Sequence, residues 1–234
     1  MAFYYSPKIA TDGLVLCLDA ANNLSYPGSG VIWNDLSGQA NNGVLTNGPT
    51  YSTNNGGGIV FDGTDDYAVA GSSNITVNQP KSVFCWIYNT TANTSISFTR
   101  LFNYMPNGTD RFVLTIDRYN RSAGVFGIGG TPNNNGVYGV TTASFPLSTW
   151  CNVGFTFDGS TFMMYHNSVA YSPSDSSAGS LGFSGVSGLI LGARTAVPAT
   201  FYSGTISNVQ LYNRALSAQE ISQNYNALKN RFGL

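Results

Sequence analysis

The segment FDGTDDYAVA, Phe61 to Ala70, sets Asp62, Asp65 and Asp66 within five positions of a chain that has only eleven acidic residues. Carboxylates so close together offer the hard oxygens that Ca²⁺ takes, six to eight at a time, from carboxylates, amides and backbone carbonyls. The same residues suit a turn, because Asp side chains accept bonds from the amides of a tight loop and Gly63 tolerates positive φ. An EF-hand is excluded: D-G-T-D-D lacks the alternation of ligands, and no Glu closes a twelve-residue loop. The expectation is a hairpin connection, turning at Asp62-Gly63 between IVF and the strand that returns through Tyr67 and Val69. Ca²⁺ is the candidate ligand of its three carboxylates. Asp35, Asn41 and Asn42 are a second set of oxygen donors.

Catalytic chemistry finds few components. The single histidine, His166, stands in MMYHNS, where a strand-end position explains it. There is no G-x-S-x-G elbow for a serine nucleophile and no Cys-x-x-Cys or His cluster for zinc. GIGGTPNNNG follows a β run and opens no helix, so it is not a dinucleotide fingerprint. Glycoside hydrolysis needs two carboxyl groups flanking the sugar, about 5–5.5 Å apart for retention. The only Glu, Glu220, sits in Ser217-Ala218-Gln219-Glu220, whose spacing is that of a capping box. No catalytic residue is assigned, and the chain is not expected to be an enzyme.

Sugar binding would use aromatic faces beside amides and carboxylates. SYPGSGVIWNDLSGQANNG offers Tyr26, Trp33, Asn34 and Asp35, and FNYMPNGTDR offers Asn103, Tyr104, Asn107 and Asp110. Trp33 reads equally well as core, as do Trp86 and Trp150 in their strand contexts.

The elements that must position these groups are mostly strands. Short runs rich in Val, Ile, Phe, Tyr and Thr recur, bounded by Gly, Asn, Asp, Ser or Pro, with no helix-length pattern between them. This predicts an all-β, two-sheet antiparallel β-sandwich. FTFDGSTFMMYHNSVAY reads as strand 153–157, a turn at Asp158-Gly159, strand 162–166, and a second turn into 169–171. One helix closes the chain over 218–231, with Ile221, Tyr225, Leu228 and Phe232 near one face. Residues 12–234 form one domain, with 1–11 as an N-terminal arm on which Tyr4 and Tyr5 could anchor.

Charged residues are 9% of the chain, the net charge is -1 and the pI is about 5.6. Without a basic field, nucleic-acid binding lacks its main driving force. No apolar run reaches the roughly 18 residues of a membrane span. Cys17, Cys85 and Cys151, an odd number in apolar strand contexts, read as free core thiols.

Three stretches together resemble a known family: residues 13–51, the GGGIVFDGTDDYAV of 56–69, and the pairing of 150–167 with 201–221. Their order is similar to that of laminin-G-like, concanavalin-A-like jelly-roll domains, in particular those of tailed-phage virion proteins and bacterial surface proteins. Residues 90–145 are the least typical. The resemblance implies a jelly roll with a short C-terminal helix, no required cofactor, and a Ca²⁺ site carried over only to the loop of Asp62, Asp65 and Asp66. The E-x-D-x-x-E strand of the retaining glucanases is absent. The expected function is a non-catalytic bacteriophage virion structural protein, decorating a capsid or tail and adhering weakly to glycans. Its partners would be other virion proteins, surface glycans and further copies of itself, with no membrane insertion. With no signal peptide, it would assemble in the host cytoplasm and end on the virion surface. The alternative is a carbohydrate-binding lectin or receptor-binding tail module, calcium-dependent in one form. A glycoside hydrolase is the third reading.

Overall fold

The computed structural model describes residues 8–76, 79–90, 98–105, 112–117, 127–131, 139–140, 148–172, 188–193 and 201–234. The strands of the first half are β1 (Leu14–Asp19), β2 (Ile32–Trp33), β3 (Gly43–Thr46), β4 (Thr50–Ser52), β5 (Gly58–Asp62), β6 (Tyr67–Ala70), β7 (Lys81–Asn89) and β8 (Phe98–Met105). The second half adds β9 (Phe112–Asp117), β10 (Gly127–Thr131), β11 (Gly139–Val140), β12 (Trp150–Phe157), β13 (Phe162–His166), β14 (Val169–Tyr171), β15 (Gly188–Leu191) and β16 (Ser203–Tyr212). Helix α1 (Ala218–Leu228) runs into a 3-10 turn, Lys229–Phe232.

Two antiparallel sheets form the sandwich expected from the alternating strands. One has the order β14-β13-β12-β7-β16-β5-β4, with β1 also on β16; the other has β11-β10-β9-β8-β15-β6-β3-β2. Alternation sends every second side chain between the sheets. Val83, Cys85 and Ile87 of β7, and Val153 and Phe155 of β12, join Phe102, Phe112, Leu189 and Leu191 from the opposite sheet in one buried cluster. All three cysteines are free and buried. Burial holds the Cys151 thiol up at about 12.

Strand β16 has two partners along one edge. Ser203–Ile206 pair with β5 and Asn208–Tyr212 with β1, and the register slips between Ile206 and Asn208. At that bulge the Ser207 hydroxyl donates to the Gly57 carbonyl at 2.6 Å, and the Ser207 carbonyl accepts the Ala20 amide. The bulge is where the edge changes hands.

The hairpin expected around Asp62-Gly63 is corrected by this topology. β5 belongs to one sheet and β6 to the other, so Asp62–Asp66 is an arch between layers. Turn residues and alternation are the same for an arch and a hairpin; only the choice of strand neighbour separates them.

The second hairpin is as read. β12 and β13 pair from Phe157↔Phe162 to Val153↔His166, and Asp158 Oδ1 accepts the Ser160 and Thr161 amides at 2.8 and 2.7 Å. These amide bonds hold Asp158 down at about 2. Asn167 and Ser168 both take positive φ, 50° and 64°, the two-residue turn that suits strand twist before β14. His166 ends β13 half-buried rather than exposed, and burial lowers its affinity for protons. At Gly154 a Cβ would collide with the Val83 carbonyl and the Phe84 ring, so glycine there lets Phe84 lie flat on the sheet.

Helix α1 covers the outer face of the β16 sheet. Ser217 Oγ accepts the Glu220 amide, and Glu220 Oε2 accepts the Ser217 amide at 2.9 Å, completing the capping box. Arg214 adds bonds of 2.9 and 2.5 Å to the same carboxylate. Arg214 first, then the Ser217 amide, holds Glu220 down at about 2 from its ordinary 4.5. A depressed folded-state value means that the stabilisation is present above pH 4.5 and is lost as pH falls toward 2. Glu220→Gln is expected to flatten part of that acid limb in melting curves from pH 7 to 2. An unchanged limb would remove the ion pair from the account.

The residues described at the N-terminus dock on this helix. Gln223 Nε2 donates to the Lys8 carbonyl, and the Ala10 amide donates to Asn224 Oδ1 at 2.7 Å. Tyr4 and Tyr5 lie outside the described residues.

Candidate functional site

The arch of Asp62–Asp66 is shaped by its own carboxylates. Asp62 Oδ1 accepts the Thr64 amide at 2.7 Å and the Asp65 amide at 3.4 Å, and Asp66 Oδ2 accepts the Asp62 amide at 2.9 Å. The Thr64 amide is the main cause that holds Asp62 below the usual carboxylate range. Burial raises Asp66, and the charges of Asp62 and Asp65 add to that against the pull of the Asp62 amide. The three carboxylates have ligand oxygens within 4.8 Å of one another, with Asp66 buried and the other two exposed. Three carboxylates this close repel one another when ionised, which a hard cation would relieve, so the residues fit Ca²⁺ in chemistry, with water completing the shell. Asp62→Ala is expected to cost about 1 kcal/mol as a lost turn cap, measured by urea unfolding; no change in midpoint would show the cap to be idle.

Asp35, Asn41 and Asn42 form no cation cage. Asp35 Oδ1 accepts the amides of Cys17 at 2.8 Å and Ser37 at 2.9 Å, and Oδ2 takes the Ser37 hydroxyl at 2.7 Å and the Asn41 amide at 3.0 Å. Asn42 Oδ1 accepts the Asp35 amide. Asn41, fully buried, donates to the carbonyls of Val15 and Ser73 and accepts the Ser73 amide at 2.7 Å. These side chains stand in for a neighbouring strand along the free edge of β1 and tie it to the loops at 35–42 and 71–76.

The aromatic platforms expected for sugar are inside the protein. Trp33 is 0% exposed, Tyr26 3% and Tyr104 4%, because their ring areas are needed between the sheets. The Tyr26 hydroxyl donates to the Gly30 carbonyl and its ring tilts against Tyr51 at 5.3 Å. The Tyr104 hydroxyl donates to the Ile75 carbonyl. Asn103, beside it on β8, is also buried. The Asn34 backbone bonds Ser25, its carbonyl taking the Ser25 hydroxyl. Asn107 and Asp110 lie outside the described residues.

What β1, the 35–42 loop, the 71–76 loop and the end of β16 jointly build is a groove of about 620 Å³. Thr11, Ser37, Gln39, Asn74, Thr76 and Asn213 line it with hydroxyls and amides, over a floor that includes Leu14 and Val15. Asn74 Nδ2 donates to Gln39 Oε1 at 2.6 Å across it. Its one carboxylate, Asp12, pairs with Arg214 at 2.9 Å. Without a second carboxyl group opposite, the described residues assemble no glycosidase pair there. Sequence reasoning missed this groove, since its six polar residues span 11 to 213 and none stands in a motif. The arch and the groove lie at opposite ends of β16, whose ten residues span roughly 30 Å.

A family model described as the concanavalin A-like lectin/glucanases superfamily matches residues 62–222. No curated protein matches by sequence. Among solved structures, a mutant of Trypanosoma rangeli sialidase displaying trans-sialidase activity aligns with a TM-score of 0.66 and 18% identity, over 97% of this chain and 34% of that one. The same sialidase with 2,3-difluoro-KDN gives 0.67 and 17%, over 99% of this chain and 36% of that one. The chain thus spans about a third of the length of these sialidases. Domain 4 of AbnA, an extracellular arabinanase of Geobacillus stearothermophilus in complex with arabinotriose, aligns at 0.64 and 18%, over 91% of this chain and 98% of that domain. These matches overturn the expected role in a bacteriophage particle. Solved structures that share the fold over nine-tenths or more of this chain include parts of sialidases and an arabinanase.

Proposed function

The chain belongs to the concanavalin A-like lectin/glucanase superfamily, and from that we propose that it is a non-catalytic carbohydrate-binding module whose ligand lies in the polar groove. The observation that carries this reading is the lining of that groove. Six neutral hydroxyl and amide side chains, each able to donate and accept, match the donor–acceptor character of sugar hydroxyls. The half-buried Leu14 offers apolar surface to the C–H face of a ring. With Asp12 paired to Arg214, the groove suits a neutral sugar better than an acidic one.

Titration calorimetry with neutral oligosaccharides, arabinotriose first, tests the reading. Saturable binding is expected, and Gln39→Ala or Thr76→Val should each weaken it about fivefold to tenfold, the ~1–1.4 kcal/mol of one hydrogen bond. Failure of every sugar to bind, or variants that bind like the parent, would sink it. Reducing-end release by the pure protein would overturn the non-catalytic part.

Ca²⁺ at Asp62, Asp65 and Asp66 is a second, structural reading, favoured by ligand oxygens that lie within 4.8 Å of one another. With the arch roughly 30 Å from the groove, chelation should lower the melting temperature and leave sugar affinity intact. An Asp65→Asn variant should lose the response to Ca²⁺.

A further inference from the structure

A second cleft, about 370 Å³, opens on the outer face of the β16 sheet between β1 and α1. Leu14, Leu36, Ala227 and Leu228 wall it, and Cys17 and Asn208 lie at its floor. Its volume holds roughly a dozen water-sized groups.

A chain of hydrogen bonds sets what the floor presents. The Ala10 amide donates to Asn224 at 2.7 Å, so that atom is Oδ1. Asn224 Nδ2 must then be the donor to Gln210 Oε1, at 3.1 Å, and to the Tyr212 hydroxyl, at 2.9 Å. The Tyr212 hydroxyl donates to the Ala10 carbonyl at 2.9 Å. Gln210 is left to donate through Nε2 to Asn208 Oδ1 at 2.9 Å. Each amide orientation follows from the one before, starting from a backbone N–H that can only donate. The chain ends on Asn208 Nδ2, which bonds no acceptor among the described residues, although Asn208 is only 2% exposed. That residue lines the cleft, and its Nδ2 is not among the sealed polar atoms.

A donor fixed by a relay in a cleft with aliphatic walls, and with Thr11 and Asn22 among its polar lining, is costly to bury unless something accepts from it. The carboxylate of the lining, Asp19, is paired with Arg231 at 2.7 and 3.2 Å, and burial keeps the Cys17 thiol protonated, up at about 12. We infer that this cleft, which meets the polar groove at Thr11 and Leu14, is a second binding site, for a small aliphatic molecule bearing a neutral carbonyl that accepts from Asn208 Nδ2. An amide or ester on a short alkyl chain has this chemistry. The alkyl part lies against Leu14, Leu36 and Leu228.

Hexanamide is the probe, followed by the side-chain amide signal of Asn208 in nitrogen–proton NMR spectra of the full chain. A saturable shift centred on Asn208 is expected. Hexylamine, with the same chain length and no carbonyl, should leave the signal in place. Asn208→Asp keeps the acceptor for Gln210 and removes the donor, and should weaken binding at least tenfold. Ala227→Glu, on α1 and outside the groove lining, should do the same without altering arabinotriose titrations, which distinguishes this site from the groove. No saturable shift, equal binding of hexylamine, or full binding by Ala227→Glu would overturn the inference.

Discussion

A Trp86→Ala variant is expected to lose about 4 kcal/mol of stability and to release the C-terminal helix. Trp86 projects from β7 onto the outer face of its sheet and is 1% exposed. Its ring stacks on Phe232 at 4.3 Å and on Tyr225 at 5.5 Å, with interplanar angles of 16° and 13°. Trp150 closes the cluster from β12, its ring 4.6 Å from Phe232 and its Nε1 donating to Asn55 at 2.9 Å. Removing the indole leaves a cavity that two aromatic rings on a short helix cannot refill without leaving the sheet. For a domain of this length the loss corresponds to roughly 10 °C in melting temperature. Hydrogen exchange should accelerate over 218–232 before it does in β7 or β12. Trp86→Phe should recover more than half of the loss. A melting temperature within about 3 °C of the parent would show that the helix is held mainly by its cap and by Arg214.

The second large effect is expected at Asp35. Asp35→Ala should cost about 3 kcal/mol and abolish binding in the groove together with it. The carboxylate accepts from Cys17, Ser37 and Asn41, and bonds to a charged acceptor are the stronger kind. Without it the Cys17 amide on the edge of β1 loses its partner, and the loop that carries Ser37 and Gln39 loses its hub. Asp35 is thus a positioning residue: no part of it lines the groove. Asp35→Asn keeps two acceptor lone pairs on one oxygen, and should recover part of the stability and part of the sugar affinity. If Asp35→Ala binds sugar as the parent does at low temperature, the loop does not need this hub and the groove is built by Asn41 alone.

Asp35 also shows how one residue type divides between readings. In the sequence it stands beside Trp33 and Asn34 and looks like part of a binding surface. In the fold, Trp33 points between the sheets and Asp35 points back at β1. β2 ends at Trp33, so the chain has left the strand by Asp35; a continued pleat would put i and i+2 on one face, and the loop instead turns the carboxylate back to the Cys17 amide. Asn103 and Tyr104 are neighbours within β8, where the pleat sends adjacent side chains to opposite faces. The Asp62 triplet survived as a cluster because a tight turn, unlike a strand, brings its side chains to one side.

The period-two alternation of β7, β12 and β16, the turn at Asp158-Gly159 and the capping box at Ser217 and Glu220 were all determined by the sequence alone. Each is a local preference, settled within a few residues by sterics and by the nearest backbone amides. The tertiary structure decided what depends on distant neighbours: that β5 and β6 join different sheets, that Tyr26, Trp33 and Tyr104 are core, and that Thr11, Ser37, Asn74 and Asn213 share a groove. Strand partners are chosen by the burial of whole faces, and that choice is made by the whole chain at once.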